Sequence, residues 1–250
     1  MEEKDVKATV VAGRNAVLEL LKSGRAVDKI FVKKGEREGS IRVIFTQARE
    51  AGIPVVEVEK QKLDTMSEGA IHQGVVALAA EKDYVSVSDI LAIAAARGED
   101  PFLVICDGIT DPHNMGAIIR SAEAAGVHGI ILPKRRSVGL SSVVGKSSAG
   151  ALAHMAVAKV SNLATTVREL KKAGIWVYTA DMHGTPYQKA DLTGPCALIL
   201  GSEGEGVSHL LRELADITVS IPMYGKVDSL NVSAAAAVLL FAAANARHAN

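Results

Sequence analysis

The chain has 250 residues, of which 48% are apolar, and its 28 lysines and arginines are balanced by 28 aspartates and glutamates. This composition excludes a disordered or fibrous protein and favours a packed α/β protein with one large domain or two modest ones. A formal net charge of zero gives no support for a nucleic-acid partner, although local basic patches can still bind one.

The cysteines and the apolar segments indicate the compartment. Cys106 and Cys196 lie inside apolar runs, which is typical of buried thiols in a reducing environment. Residues 1–7 are charged and no apolar stretch follows them, so we expect no secretory signal. The longest apolar run, at 234–244, is far shorter than the roughly 20 residues of a membrane-spanning helix. We therefore expect a cytoplasmic protein without a membrane partner.

The first 80 residues are predicted to form a small α/β domain. Gly24 ends an apolar helical segment at 15–22, and Gly52 ends another at 40–51. Short apolar runs predict strands at 29–32, 55–58 and 75–79.

Basic residues gather around the loop after the first of these strands, and two more lie elsewhere in the domain: Lys33, Lys34, Arg37, Arg42, Arg14 and Arg25. Glu36 and Glu38 are interleaved with them, as on an ordinary solvated surface. A weak phosphate-binding face is the alternative interpretation. Charge alone favours the solvated surface.

Residues 81–98 are predicted to be a linker that contains a short helix, capped at Ser88 and ended by Gly98. The composition changes here from charged to alanine-rich, so we place the second domain at 99–250.

Predicted strands and helices alternate through this second domain. Such alternation is typical of a mostly parallel sheet with helices on both faces. Strands are predicted at 103–106, 129–132, 156–160, 176–180, 197–200 and 217–221. Helices are predicted at 114–125, 141–149, 162–173, 207–214 and 232–246. The last helix is apolar on nearly all sides, so both sides need cover, and a second subunit is one candidate for the outer side.

Three polar loops follow predicted strands of this domain, and ligands of open α/β sheets bind at such strand ends. The loops contain Asn114, Glu203 and Asn231, and Arg120 lies about two turns into the helix after the first loop. Each residue alone is compatible with an ordinary surface position. Together they predict a polar site at one edge of the sheet.

Other site chemistries fit less well. Gly204 and Gly206 match two glycines of a dinucleotide-binding loop, but His209 stands at the third position and Asp228 lies in a loop. The histidines are scattered, without the spacing of metal ligands, and the nucleophile elbow of serine hydrolases is lacking. We expect no metal.

At the three loops the sequence resembles the SpoU/TrmH family of ribose 2′-O-methyltransferases, part of the SPOUT class. The family motifs correspond to residues 107–122, to 200–206, and to 221–223 followed by 229–233. The first 80 residues also resemble the RNA-binding domain of one branch of the family, at 13–17 and 72–75.

The resemblance implies a C-terminal domain tied in a deep trefoil knot that binds S-adenosylmethionine. Backbone groups at Gly201, Ile221 and Leu230 are the cofactor-binding positions that it implies. It also implies a homodimer formed through the C-terminal domain.

For catalysis, the resemblance assigns activation of the ribose hydroxyl to Arg120, oriented by Asn114, Glu203 and Asn231. An arginine keeps its proton at ordinary pH, so we expect it to stabilise a developing oxyanion or to grip a neighbouring phosphate.

The resemblance finally implies methyl transfer to the ribose 2′-hydroxyl of a guanosine in large-subunit ribosomal RNA. Two alternatives remain open: a tRNA ribose 2′-O-methyltransferase, and a non-catalytic RNA-binding or ribosome-assembly factor that keeps the fold.

Overall fold

The computed structural model of the protein describes residues 10–249. The chain forms two compact units. The first extends to Asp83 and includes Gly139–Gly145; the second holds Tyr84–Val138 and the residues from Lys146 onward. Among the described residues, every helix is too short or too polar to cross a membrane.

The first unit has a four-stranded mixed sheet in the order β1-β4-β2-β3. Its strands are β1 (Val10–Ala12), β2 (Val27–Lys33), β3 (Val55–Val58) and β4 (Val75–Ala79). Its helices are α1 (Arg14–Lys22), α2 (Ser40–Glu50) and α3 (Lys60–Ser67). β2 and β3 are parallel, and β4 is antiparallel to β1 and β2.

Alternate residues of its strands serve the two faces of this sheet, as the period of a β-strand requires. Ile30 of β2 packs with Val17 and Ile44 on one face, and the neighbouring Phe31 packs with Leu63 on the other.

The predicted elements of this unit are confirmed, but β1 and α3 were not predicted. β1 has only three residues, and α3 buries only Leu63 and Ser67, so neither shows a usable apolar period.

The next helix, α4 (Val87–Arg97), begins two residues earlier than predicted. Its cap is Ser86, and the prediction of Ser88 was wrong. Ser86 accepts the N–H of Asp89, whose carboxylate accepts the N–H of Ser86. This reciprocal capping needs an acidic or amide side chain three residues on, which Ser86 has and Ser88 lacks.

The second unit has a six-stranded sheet in which every pair is parallel, in the order β10-β8-β9-β5-β6-β7. Its strands are β5 (Phe102–Cys106), β6 (Gly129–Pro133), β7 (Val157–Val160), β8 (Trp176–Pro186), β9 (Cys196–Leu200) and β10 (Ile217–Ser220). The remaining helices are α5 (Pro112–Ala124), α6 (Ser142–Ser147), α7 (Leu163–Lys172), α8 (His209–Leu214) and α9 (Val232–His248). The predicted parallel α/β fold is confirmed.

Helices cover both faces of this sheet. Leu103 and Ile105 of β5 pack with Val167 of α7 and Leu211 of α8. Phe102, whose side chain points to the other face, lies with Leu239 of α9. Both cysteines are buried and free, and burial raises the pKa of the Cys106 thiol to about 12, so these thiols act as core residues.

Candidate functional site

Three polar side chains from separate loops meet at the carboxyl edge of the parallel sheet. Asn114 Nδ2 donates to Glu203 Oε1 at 3.0 Å, and Asn231 Nδ2 donates to Asn114 Oδ1 at 2.9 Å and to Glu203 Oε1 at 2.5 Å. We call Asn114, Glu203 and Asn231 the amide–carboxylate cluster. It forms because parallel strands present their carboxyl ends, and the loops that follow, on one edge of the sheet.

The first member is positioned by the start of α5. Asp111 caps this helix, and its Oδ1 accepts the N–H of Asn114 at 2.8 Å. Pro112 occupies the first turn, where its missing N–H costs nothing. Asn114 is therefore fixed on the first turn of a capped helix.

The third member, Asn231, serves two functions at once. Its Oδ1 caps α9 by accepting the N–H of Ser233 at 2.9 Å and the hydroxyl of Ser233 at 2.6 Å. Because that oxygen is held at the helix N-terminus, the amide NH₂ must point away, toward Asn114 and Glu203. Helix capping thus orients a polar group of the site.

Glu203 receives both amide donors on one oxygen. Within residues 10–249, its second carboxylate oxygen has no hydrogen-bonding partner. The side chain is exposed, so this oxygen is open to a ligand from outside. A fixed carboxylate with one free oxygen can accept a hydrogen bond from a hydroxyl.

Arg120 forms no hydrogen bond or ion pair with this cluster. It follows Asn114 by six residues on α5, about 9 Å along the axis and about 120° around it. Its side chain is exposed, and none of the residues that the structure describes pairs with it. Three of the four expected catalytic residues therefore meet, while the fourth faces solvent from the same helix.

A glycine-dependent turn follows β9. Ser202 and Gly206 exchange backbone hydrogen bonds at 3.1 and 2.9 Å, which folds the loop tightly. A Cβ on Gly201 would lie 2.1 Å from both the Gly206 carbonyl carbon and the Val207 nitrogen, so no larger residue fits. This turn aims Glu203 at the other two loops.

A cleft of about 680 Å³ adjoins the cluster, and the segments after β9 and β10 line it together with the bend in β8. Gly201, Ile221 and Leu230 all line it, as do Glu203 and Asn231. Further carboxylates on its wall are Asp181, Glu205 and Asp228, with Arg212 as the basic residue.

Two residues that support the site were not predicted from the sequence. Asp107 accepts the N–H of Ser208 at 2.8 Å and so ties the first loop to the second. Gly116 lets residues 147–148 approach α5, because a Cβ there would lie 2.4 Å from the Ser147 Cβ. Asp107 stands in the first motif, but its partner is 101 residues away, a distance that no local pattern bridges.

Comparison with known proteins now identifies the chain. Residues 101–241 match the SpoU rRNA Methylase family, and residues 10–85 match the domain described as RNA 2′-O ribose methyltransferase substrate binding. The chain belongs to the SpoU methylase family.

Relatives named as TrmH family tRNA/rRNA methyltransferases align over nearly the whole chain. YacO of Bacillus subtilis is 43% identical over 92% of this chain and 93% of its own length. The relative from Staphylococcus haemolyticus is 41% identical over 96% of both chains.

Solved structures agree with this assignment. The SpoU methyltransferase AviRb of Streptomyces viridochromogenes, in complex with AdoMet, superposes with a TM-score of 0.61 at 27% identity, covering 96% of this chain and 91% of that one. An AdoMet-bound rRNA methyltransferase of Sinorhizobium meliloti superposes with a TM-score of 0.57 at 26% identity, covering 94% and 85%. The protein is an RNA methyltransferase that uses S-adenosylmethionine.

The cleft suits this cofactor chemically. S-Adenosylmethionine carries a positive sulfonium and an ammonium group, and four carboxylates line the cleft: Asp181, Glu203, Glu205 and Asp228. Gly201, Gly204 and Gly206 line the cleft, and without side chains they let a nucleoside come close to the backbone. Among residues 10–249, no group of three or more His, Cys, Asp or Glu side chains could hold a metal ion.

Proposed function

We propose that the protein transfers a methyl group to the ribose 2′-hydroxyl of a guanosine in large-subunit ribosomal RNA. The observation that carries this proposal is the amide–carboxylate cluster beside the cleft, with one oxygen of Glu203 open. In this proposal residues 1–80 bind RNA, residues 81–98 link the domains, and residues 99–250 carry the chemistry in the cytoplasm. We extend the proposal to the trefoil knot of the SPOUT class.

S-Adenosylmethionine supplies the methyl group, bound at Gly201, Ile221 and Leu230. The open oxygen of Glu203 accepts the hydrogen bond of the ribose hydroxyl, fixes its direction, and takes up the hydroxyl proton as the methyl group bonds to the oxygen. Asn114 and Asn231 hold that carboxylate in place, because both donate to its other oxygen. Positioning of this kind removes much of the entropic barrier to reaction.

Arg120 supplies positive charge through its guanidinium group. A phosphate beside the target ribose suits it, because a guanidinium binds phosphate oxygens with two parallel hydrogen bonds. Arg120 takes no part in the hydrogen bonds of the cluster in its own chain, so it acts either on an RNA phosphate beside its own site or at the cluster of a second copy. The second route requires a homodimer.

A homodimer through the C-terminal unit is part of the proposal. α9 buries Leu239 and Leu240 on its inner side, yet Val238 and Phe241 on its outer side are 36% and 44% exposed. α5, which carries Arg120, packs beside α9. Cover by a second copy would remove these apolar side chains from water.

Mixing two inactive variants tests the dimer. If Arg120 serves the partner's cluster, Arg120→Ala and Glu203→Gln proteins will recover part of the activity when they are co-expressed and purified as mixed dimers. A Phe241→Asp variant should sediment as a monomer. Full activity of that monomer would contradict the shared site.

The reaction itself is tested with labelled S-adenosylmethionine and unmodified large-subunit rRNA or tRNA, followed by digestion to nucleosides. Label in 2′-O-methylguanosine from rRNA is the expected result. The relatives' names include both tRNA and rRNA, so tRNA is the second candidate. Label in tRNA alone would identify tRNA, and not rRNA, as the substrate. Absence of label with every RNA, including assembling ribosomal particles, would favour a non-catalytic RNA-binding factor.

A further inference from the structure

Ile71 in the first unit is exposed to solvent on a loop whose backbone is fixed by hydrogen bonds. Ile71 is 83% exposed, more than any other large aliphatic residue in residues 10–249. Scattered exposed aliphatic residues are common and need no explanation. Ile71 differs because the chain around it is tied down on every side.

Residues 68–74, which we call the Ile71 loop, are fixed by hydrogen bonds on both sides of Ile71. Ala70 N–H donates to the Ser67 carbonyl at 2.9 Å, and His72 Nε2 bonds Asp64 Oδ1 at 2.9 Å. His72 Nδ1 accepts the N–H of Gly74 at 3.0 Å. Both nitrogens of a nearly buried imidazole are therefore used to hold the loop.

The loop also contains unfavourable backbone geometry. Glu68 and Gln73 both have φ of 48°, in the left-handed region that non-glycine residues avoid. Such geometry persists only where the surroundings impose it, and it is concentrated at functional sites. A strained, rigid loop that presents an apolar side chain to solvent is a preorganised binding element.

A cleft of about 800 Å³ lies beside the loop, lined by the starts of α1 and α3 as well. Arg14 lines it but is already engaged: Nε donates to the Gln73 carbonyl at 2.9 Å and Nη2 to Glu36 Oε1 at 2.6 Å. Arg14 thus holds the loop. Lys60 lines the cleft and forms no ion pair with any described residue, and Lys33 lies 3.6 Å from Glu36.

We propose that the Ile71 loop is a wedge for an unpaired RNA base: Ile71 packs on the face of the base, and Lys60 contacts an adjoining phosphate. A base inside an A-form duplex hides its faces by stacking, whereas a loop or bulge exposes them. An apolar residue and a free cation on the same cleft match a base flanked by phosphates. This inference rests on the proposed RNA substrate and states which feature of that RNA the first unit selects.

The test is equilibrium binding of the full chain to a labelled RNA hairpin with an unpaired loop, and to a blunt duplex with the same stem. The wild type should prefer the hairpin. Ile71→Ala should weaken hairpin binding about tenfold and leave duplex binding unchanged, as expected for one lost base contact. Ile71→Leu should retain the preference. Lys60→Ala should reduce the slope of log K against log[salt] by about one.

Val43→Ala is the matched control, because Val43 is an exposed aliphatic residue of the same unit outside the cleft. Equal hairpin affinity of the Ile71→Ala and Val43→Ala proteins would overturn the wedge, as would equal binding of hairpin and duplex by the wild type. Methyl transfer is measured on the same preparations. A wild type that prefers hairpins through Ile71 but methylates no RNA would overturn the proposed function alone.

Discussion

The amide–carboxylate cluster and the Ile71 loop leave opposite kinds of groups open to solvent. In the cluster, polar groups bond one another, and one oxygen of Glu203 stays open. Around the Ile71 loop, the ion pair of Arg14 with Glu36 is complete and an apolar side chain remains. Neither open group adds to the stability of the free protein, because one is solvated by water and the other buries no apolar area. The open group of each region indicates its ligand: a hydroxyl in one and an apolar ring face in the other.

We expect the largest effect from replacing Glu203, whose carboxylate keeps one oxygen open. Glu203→Gln keeps the size of the side chain but replaces the free acceptor oxygen with a donor. We expect a loss of about 10²-fold in the single-turnover rate of methyl transfer. Glu169→Gln, an exposed change on α7, is the control. Equal rates for the two variants would show that Glu203 has no role in the reaction.

The glycine turn that aims Glu203 gives the next effect. In Gly201→Ala, the new methyl group would lie 2.1 Å from backbone atoms of Gly206 and Val207, so the loop must move. Overpacking of this kind costs about 1–3 kcal/mol, and we expect calorimetry to show about tenfold weaker S-adenosylmethionine binding. Gly194→Ala, where the Cβ meets no atom within 4 Å, is the control. Unchanged affinity in Gly201→Ala would show that this turn does not bind the cofactor.

The next prediction concerns Arg14, which holds the Ile71 loop. Arg14→Ala removes the hydrogen bonds to Gln73 and Glu36, so we expect unfolding in urea to be easier by about 1–2 kcal/mol. The salt dependence of RNA binding should stay as in the wild type, because Arg14 is engaged within the protein. Arg25→Ala serves as the control for stability. A reduced salt slope in Arg14→Ala would identify Arg14 as a phosphate contact instead.

The smallest effect concerns a buried histidine that belongs to neither region. His128 is 2% exposed; burial lowers the pKa of its imidazole, although the bonded Glu99 opposes this shift. The unfolded chain therefore binds a proton at higher pH than the folded one, so stability is complete above about pH 6.5 and falls below it. His128→Asn should reduce this acid sensitivity in thermal unfolding between pH 7.5 and 5.5. His209→Asn, at an exposed position, should leave it unchanged.

The sequence by itself determined the parallel sheet and the loops at its carboxyl edge. Buried parallel strands are uninterrupted apolar runs, and parallel strands bring their ends to one edge, so order along the chain was enough to group Asn114, Glu203 and Asn231. The short elements β1 and α3 were not predicted because they are too short to show an apolar period, whereas the cap at Ser86 could have been predicted from Asp89 three residues on.

Only the tertiary structure decided which groups are engaged and which are open. The sequence does not distinguish Arg14 from Arg120. In the structure, Arg14 bonds Glu36 and Gln73, which are 22 and 59 residues away along the chain, whereas Arg120 has no such partner within the described residues. The open oxygen of Glu203 depends in the same way on amides 89 and 28 residues away. The physical reason is that a hydrogen bond depends on distance in space, and packing of the whole chain sets that distance.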